Sequence, residues 1–305
     1  MSWELPERIS VREVGPRDGL QNEDPVPTDA KVALLDRLSA TGVQRIEAVS
    51  FVRPSAIPQM ADADEVWKRA VRAPSVRYSA LVPNLRGALR ALDAGFTELE
   101  AVVSASETHN RKNVNRSTGQ SLDEIAEIIS VAHDRGATVQ VIVSTAWGCP
   151  YEGDVPVGRV VSVAGRALAD GADSASFGDT TGMATPTRVR ALVGAFRSAH
   201  PDTALNLHFH NTRGTGLANV LAALELGVAD FDAAVGGLGG CPYAPGATGN
   251  IATEELVYMA EDMGVATGID LEAMIATAAE AEGIVGRTLP SQVLRAGPRT
   301  RTIAP

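Results

Sequence analysis

Short runs of β-branched and apolar residues alternate along the chain with longer stretches whose apolar positions recur every three or four residues. The short runs, at 9–14, 43–49, 76–82, 98–103, 138–144, 173–177, 204–209 and 230–235, predict strands. The longer ones, at 28–40, 62–71, 85–94, 122–134, 157–169, 186–199, 216–226 and 253–263, predict helices. Thr28 ahead of Asp29, and Ser121, read as N-caps. Pro186 after Thr185 sits where a first helical turn accepts proline. Gly42, Gly95, Gly136, Gly171 and Gly227 each follow a helical stretch, where a left-handed residue ends it. This repeated βα unit predicts an α/β fold, a (β/α)8 TIM barrel. An open doubly wound sheet would show Gly-x-Gly-x-x-Gly after an early strand. Here the first strand runs into Gly15-Pro16-Arg17-Asp18-Gly19. No linker interrupts the pattern before about residue 290. The expected organisation is one catalytic domain over 1–290, with an extra C-terminal helix at 271–285, and a tail over 291–305.

Composition narrows the class of partner. The 305 residues are 45% hydrophobic, enough for a large core, and no apolar run reaches membrane-spanning length. A formal net charge of −10 argues against nucleic-acid or anionic-membrane binding, while leaving room for a local basic pocket. The first eight residues lack the apolar core of a secretory signal, and the two cysteines, Cys149 and Cys241, are far apart. Free thiols in a reducing cytoplasm are the expectation.

In a TIM barrel, chemistry collects just beyond the C-terminal strand ends. Polar residues crowd there: Arg17, Asp18 and Gln21 after the first strand, the segment 104–113 after the fourth, Asp179 after the sixth. The seventh strand ends in His208-Phe209-His210. Residues two apart on a strand share a face, so the imidazoles lie side by side, as a metal-ligand pair or a satisfied structural one. Glu47 lies inside an apolar run, where a carboxylate must be paired or coordinated. Asp18 is either an anionic ligand or a turn aspartate, and Asn250 either an oxygen ligand or a cap for the helix at Thr253. Cys241 follows Gly236-Gly237-Leu238-Gly239-Gly240, a segment free to take unusual backbone angles. It reads as a proton donor or as a small buried side chain. Arg111, Lys112 and Arg116 form a basic cluster suited to a coenzyme phosphate or to solvent.

Gly15-Pro16-Arg17-Asp18-Gly19-Leu20-Gln21-Asn22-Glu23 resembles the first-strand motif of the 3-hydroxy-3-methylglutaryl-CoA lyase family. The resemblance continues through Ser50-Phe51-Val52, the segment 105–115, Gly148-Cys149-Pro150-Tyr151-Glu152-Gly153, Gly178-Asp179-Thr180 and His208-Phe209-His210. It closes on the Gly236–Ala244 loop with Gly249-Asn250. It implies a TIM barrel, a homodimer, and a Mg²⁺ or Mn²⁺ ion, Zn²⁺ being also compatible with such ligands. The implied ligands are Asp18, His208, His210 and Asn250. Arg17, Cys241, Glu47, His208 and Asp179 would be catalytic, and Gln21, Arg111, Lys112 and Asn113 would contact CoA. The implied reaction is retro-Claisen cleavage of 3-hydroxy-3-methylglutaryl-CoA (HMG-CoA) to acetyl-CoA and acetoacetate, as in leucine breakdown. A lyase for a related 3-hydroxyacyl-CoA, or a Claisen-type synthase of the same superfamily, is the alternative. Three departures stand out: Pro54-Ser55-Ala56 in place of Pro-Lys-Trp, Asn211 in place of aspartate, and Thr181 in place of isoleucine. The first removes a cation and an aromatic ring near the barrel mouth.

Overall fold

The computed structural model describes residues 4–240 and 248–302. Eight parallel strands close into a barrel in chain order: β1 (Ser10–Glu13), β2 (Arg45–Ser50), β3 (Arg77–Val82), β4 (Glu98–Ser104), β5 (Thr138–Ser144), β6 (Ser174–Gly178), β7 (Leu205–His208) and β8 (Asp230–Ala233). The connecting helices are α1 (Thr28–Ser39), α2 (Ala63–Arg69), α3 (Leu85–Asp93), α4 (Glu107–Val114), α5 (Thr118–Asp134), α6 (Val157–Ala169), α7 (Pro186–Ala199), α8 (Gly216–Leu224) and α9 (Thr253–Asp262). They are followed by α10 (Leu271–Val285) and α11 (Gln292–Ala296). No helix among the described residues is long and apolar enough to cross a membrane.

Three local expectations are corrected. Helix α1 begins at Thr28 after Pro27, and the Thr28 hydroxyl donates to Asp62 Oδ2 at 2.7 Å instead of capping. Helix α5 begins at Thr118, because Ser117 and Gln120 form a reciprocal capping box; Ser121 lies within the helix. Helix α4 was not expected, since its stretch is too polar to show an apolar stripe. Ser106 starts it by accepting from His109 N, and Asn115 ends it in the left-handed conformation. Beyond residue 290, Ser291 caps α11 and Val293 is buried, so that stretch packs on the fold.

Strand alternation sorts side chains between two cores. Phe177, Phe196, Phe209 and Trp147 fill the layer between sheet and helices, with Trp147 and Phe209 ring centres 5.3 Å apart. The neighbours of Phe209, His208 and His210, consequently face the barrel interior. That interior is polar. Fully buried Arg12 on β1 donates to Asp232 through Nε (2.8 Å) and Nη2 (2.9 Å), and to Gln140 Oε1 (2.9 Å). It also pairs with Glu100. A guanidinium removed from water persists only with such partners. In register, Arg12 opposes Asp232 and Glu100 opposes Gln140, so closure of β1 on β8 assembles the network.

Candidate metal centre and catalytic cleft

The turn after β1 is a single π-helical turn, Gly15–Gly19, with Gly19 N donating to Val14 O at 3.1 Å. It brings Arg17 and Asp18 over the barrel mouth. Glu47, buried on β2, receives Arg17 Nε at 2.7 Å. Arg17 Nη1 (2.6 Å) and Gln21 Nε2 (2.9 Å) both donate to Asp18 Oδ1. The opposite oxygen, Oδ2, faces His208 Nε2 at 4.0 Å. One ligand atom from each of Asp18, His208 and His210 lies within 4.8 Å of the others, a span one ion can gather with small adjustments.

Electrostatics favours the state an ion needs at Asp18 and at His210. Burial works against ionised Asp18, but Arg17 and His208 overcome it and hold the carboxyl down at about 2. Burial, and repulsion from His208, push His210 down to about 3, so it stays a neutral donor. His208 is raised: burial lowers it, and the hydrogen bond to Asp232 more than compensates. That bond, Nδ1 to Asp232 Oδ2 at 3.1 Å, leaves Nε2 for an ion. Asp232 itself is held well below the usual carboxylate range, Arg12 and His208 outweighing burial.

Asn250 pairs with His210 through a backbone bridge and donates Nδ2 to Asp18 Oδ2 (2.8 Å) and Leu238 O (3.0 Å). Its Oδ1 is buried with no hydrogen-bond partner, an unpaid polar atom that a cation would satisfy if the amide turned. Gly239, at φ +107°, lies so close that a Cβ there would come 2.9 Å from Asn250 Nδ2; only glycine fits. The donor set of carboxylate, imidazoles and amide oxygen suits a divalent ion.

Asp179, expected in the inner polar shell, holds a turn. Asp179 Oδ1 accepts from Met183 N (2.7 Å) and Ala184 N (3.1 Å), capping the turn after β6, while Oδ2 is buried and unpartnered. Burial raises it to about 6. Gln21, expected to contact CoA, donates to Asp18 and also lines the cleft. Above the floor opens a cleft of about 920 Å³ with apolar walls (Val52, Leu81, Val102, Ile142) and a rim that includes Lys112, Asn113 and Arg116. Arg111 does not line it; its guanidinium pairs with Glu107 one turn back at 2.8 Å. Cys241 lies outside the described residues.

Sequence reasoning missed Asp232 and Glu13. Asp232 carried no separate signal, since with Asp230 two residues earlier it reads as the polar half of an alternating strand. Glu13, fully buried at the end of β1, accepts from Gly15 N (2.7 Å), Val235 N (2.9 Å) and Thr253 Oγ1 (2.6 Å). It therefore ties the Arg17–Asp18 turn to the start of the glycine loop. Burial raises Glu13 from an ordinary 4.5 to about 7 against those hydrogen bonds. The folded protein thus holds this proton more tightly than the unfolded chain. The contribution is full below 4.5 and is lost as pH rises through 7. Glu13→Gln, neutral at every pH, should flatten the fall in stability over that window by something of the order of 3 kcal/mol. Urea unfolding at stepped pH reads this; identical slopes in parent and variant would show that Glu13 carries no such proton.

With this geometry in place, comparison with known proteins is direct. A family model described as HMGL-like matches residues 8–280. Hydroxymethylglutaryl-CoA lyase YngG of Bacillus subtilis (strain 168) is 45% identical over 291 residues, which cover 95% of this chain and 97% of that protein. The (R)-citramalyl-CoA lyase of Chloroflexus aurantiacus is 44% identical over 303 residues, 96% of each. The structure of an HMG-CoA lyase from Acinetobacter baumannii, in complex with coenzyme A and 3-methylmalate, matches with a TM-score of 0.93 at 46% identity and covers 98% of both chains.

Proposed function

The chain belongs to the HMGL-like family, and from that membership we propose that it is a metal-dependent carbon–carbon lyase cleaving HMG-CoA to acetyl-CoA and acetoacetate. The observation that carries the reading is the convergence of Asp18, His208 and His210 beside Arg17, on the floor of a cleft large enough for an acyl-pantetheine arm. Mg²⁺ or Mn²⁺ is the proposed ion, with Asn250 as a fourth ligand. When bound, the ion would supply Lewis-acid polarisation of the substrate's hydroxyl and carboxylate oxygens.

The chain's own residues account for the rest. Cleavage of the C2–C3 bond needs the C3 hydroxyl proton removed and the negative charge on the departing thioester stabilised. Asp18, whose carboxylate lies at the floor beside Arg17, is the proposed acceptor of that proton. Arg17, fixed by Glu47 and Asp18, presents a pre-oriented guanidinium to the thioester oxygen as charge develops there. The apolar walls exclude water from the carbanion. Cys241, at the end of the glycine loop, is the proposed donor of the proton that completes acetyl-CoA. A homodimer and a cytoplasmic location belong to the same proposal.

A second reading keeps the chemistry and shortens the acid: (R)-citramalyl-CoA, cleaved to acetyl-CoA and pyruvate, is favoured by the 44% identity to such a lyase. Product analysis on both esters with Mg²⁺ and Mn²⁺ separates them. Acetoacetate supports the first reading and pyruvate the second. Free CoA released only when a 2-oxo acid and acetyl-CoA are supplied together would overturn both in favour of a synthase.

A further inference from the structure

Four cationic side chains line the cleft: Arg17, Arg53, Lys112 and Arg116. Arg17 is held by Glu47 and Asp18, Arg116 is paired with Glu124, and Lys112 lies 4.9 Å over the Tyr151 ring. Arg53 is exposed, and its side chain makes no hydrogen bond, ion pair or ring contact with any described residue. The acidic residues lining the cleft are Asp18 and Asp232, both at the metal end. In a chain of net charge −10, a guanidinium left unpaired on this wall is a place prepared for an anion. Arg53 follows β2, which pairs with β1, the strand before the Arg17–Asp18 turn, and it precedes Ser55, where the resembling family has lysine. Its neighbour Ala56 also lines the cleft and is small enough to leave the space open.

We propose that Arg53 binds an anionic group of the thioester substrate, the terminal carboxylate of the acyl chain or a phosphate of the coenzyme, through its two-pronged guanidinium. It thereby restores, two positions earlier, the charge missing at Ser55. This rests on the lyase reading above. The test compares the parent, Arg53→Lys and Arg53→Ala in cleavage of HMG-CoA and of the pantetheine thioester of the same acid, alongside calorimetric titration with CoA. Arg53 is exposed, so the variants should fold as the parent does. Arg53→Ala should raise the KM for HMG-CoA about 10-fold or more, with kcat less affected and lysine recovering part of the loss. A loss shared by both thioesters assigns the carboxylate; a loss confined to HMG-CoA and to CoA binding assigns the phosphate. Unchanged KM and CoA affinity in Arg53→Ala overturn the proposal. If the parent cleaves neither ester, the lyase reading fails, and equal affinities of parent and Arg53→Ala for both HMG-CoA and CoA by calorimetry then overturn the Arg53 assignment by themselves.

Discussion

Asp18→Asn should abolish divalent-ion binding and cleavage together, with a loss larger than the ~10–100-fold that removal of an outer partner of a metal site costs. Asp18 is the one carboxylate in the cluster with the two histidines. One of its oxygens is spent on Arg17 and Gln21, and the other faces His208 Nε2 and the Asn250 amide. An asparagine keeps the shape but loses the charge. Its NH2 group then meets either the Arg17 and Gln21 donors or the amide of Asn250. Arg17 and Glu47 are left to neutralise one another, and the remaining acid at the floor, Asp232, is already engaged by Arg12 and His208. Titration with Mn²⁺ followed by calorimetry, run beside the product assay, reads both effects. A variant that binds Mn²⁺ as the parent does would place the ion elsewhere and remove the basis for the proposed mechanism.

How far such a site could be read beforehand depended on which periodicity its residues obey. The His208–His210 pair was legible because strand alternation alone puts both on one face, with Phe209 sent to the other. The barrel was legible because eight βα repeats, five of them punctuated by glycine, leave few other arrangements. Helix α4 was not, because Glu107–Val114 carries almost no apolar residues and is held by the Ser106 cap and by Asn110, whose amide donates to Arg116 O and Ser121 Oγ. The basic cluster was legible as a group and not by member: helical spacing turns Arg111 back to Glu107 while Lys112 and Asn113 line the cleft. Arg12 and Asp232 escaped for a tertiary reason. Each looks like the polar half of an ordinary alternating strand, and only closure of β1 against β8 turns both into the barrel.

That closure makes Asp232→Asn the sharpest probe of how the site is held. Asp232 Oδ1 accepts from Arg12 Nε (2.8 Å) and Asn206 Nδ2 (2.9 Å); Oδ2 accepts from Arg12 Nη2 (2.9 Å) and His208 Nδ1 (3.1 Å). A carboxylate only accepts, so His208 carries its proton on Nδ1 and offers Nε2 to the ion. Asparagine at this position has one oxygen and one NH2 group. If the oxygen keeps the Asn206 side, the NH2 opposes Arg12 Nη2 and faces His208 Nδ1, which must become the acceptor. The proton then moves to Nε2 and blocks the ligand atom. If the oxygen takes the His208 side, the NH2 opposes two buried donors, and the Arg12 charge loses half of its support. The first arrangement predicts Mn²⁺ affinity weakened about 10–100-fold together with some loss of stability from the opposed Arg12 donor. The second predicts a stability loss of about 3–5 kcal/mol, which Asp232→Ala should show in either case. Measuring Mn²⁺ affinity and urea unfolding on the same two variants separates the arrangements. If Asp232→Asn changes neither quantity, the orientation of His208 does not come from β8, and the polar barrel interior is insulation for Arg12 and not part of the metal site.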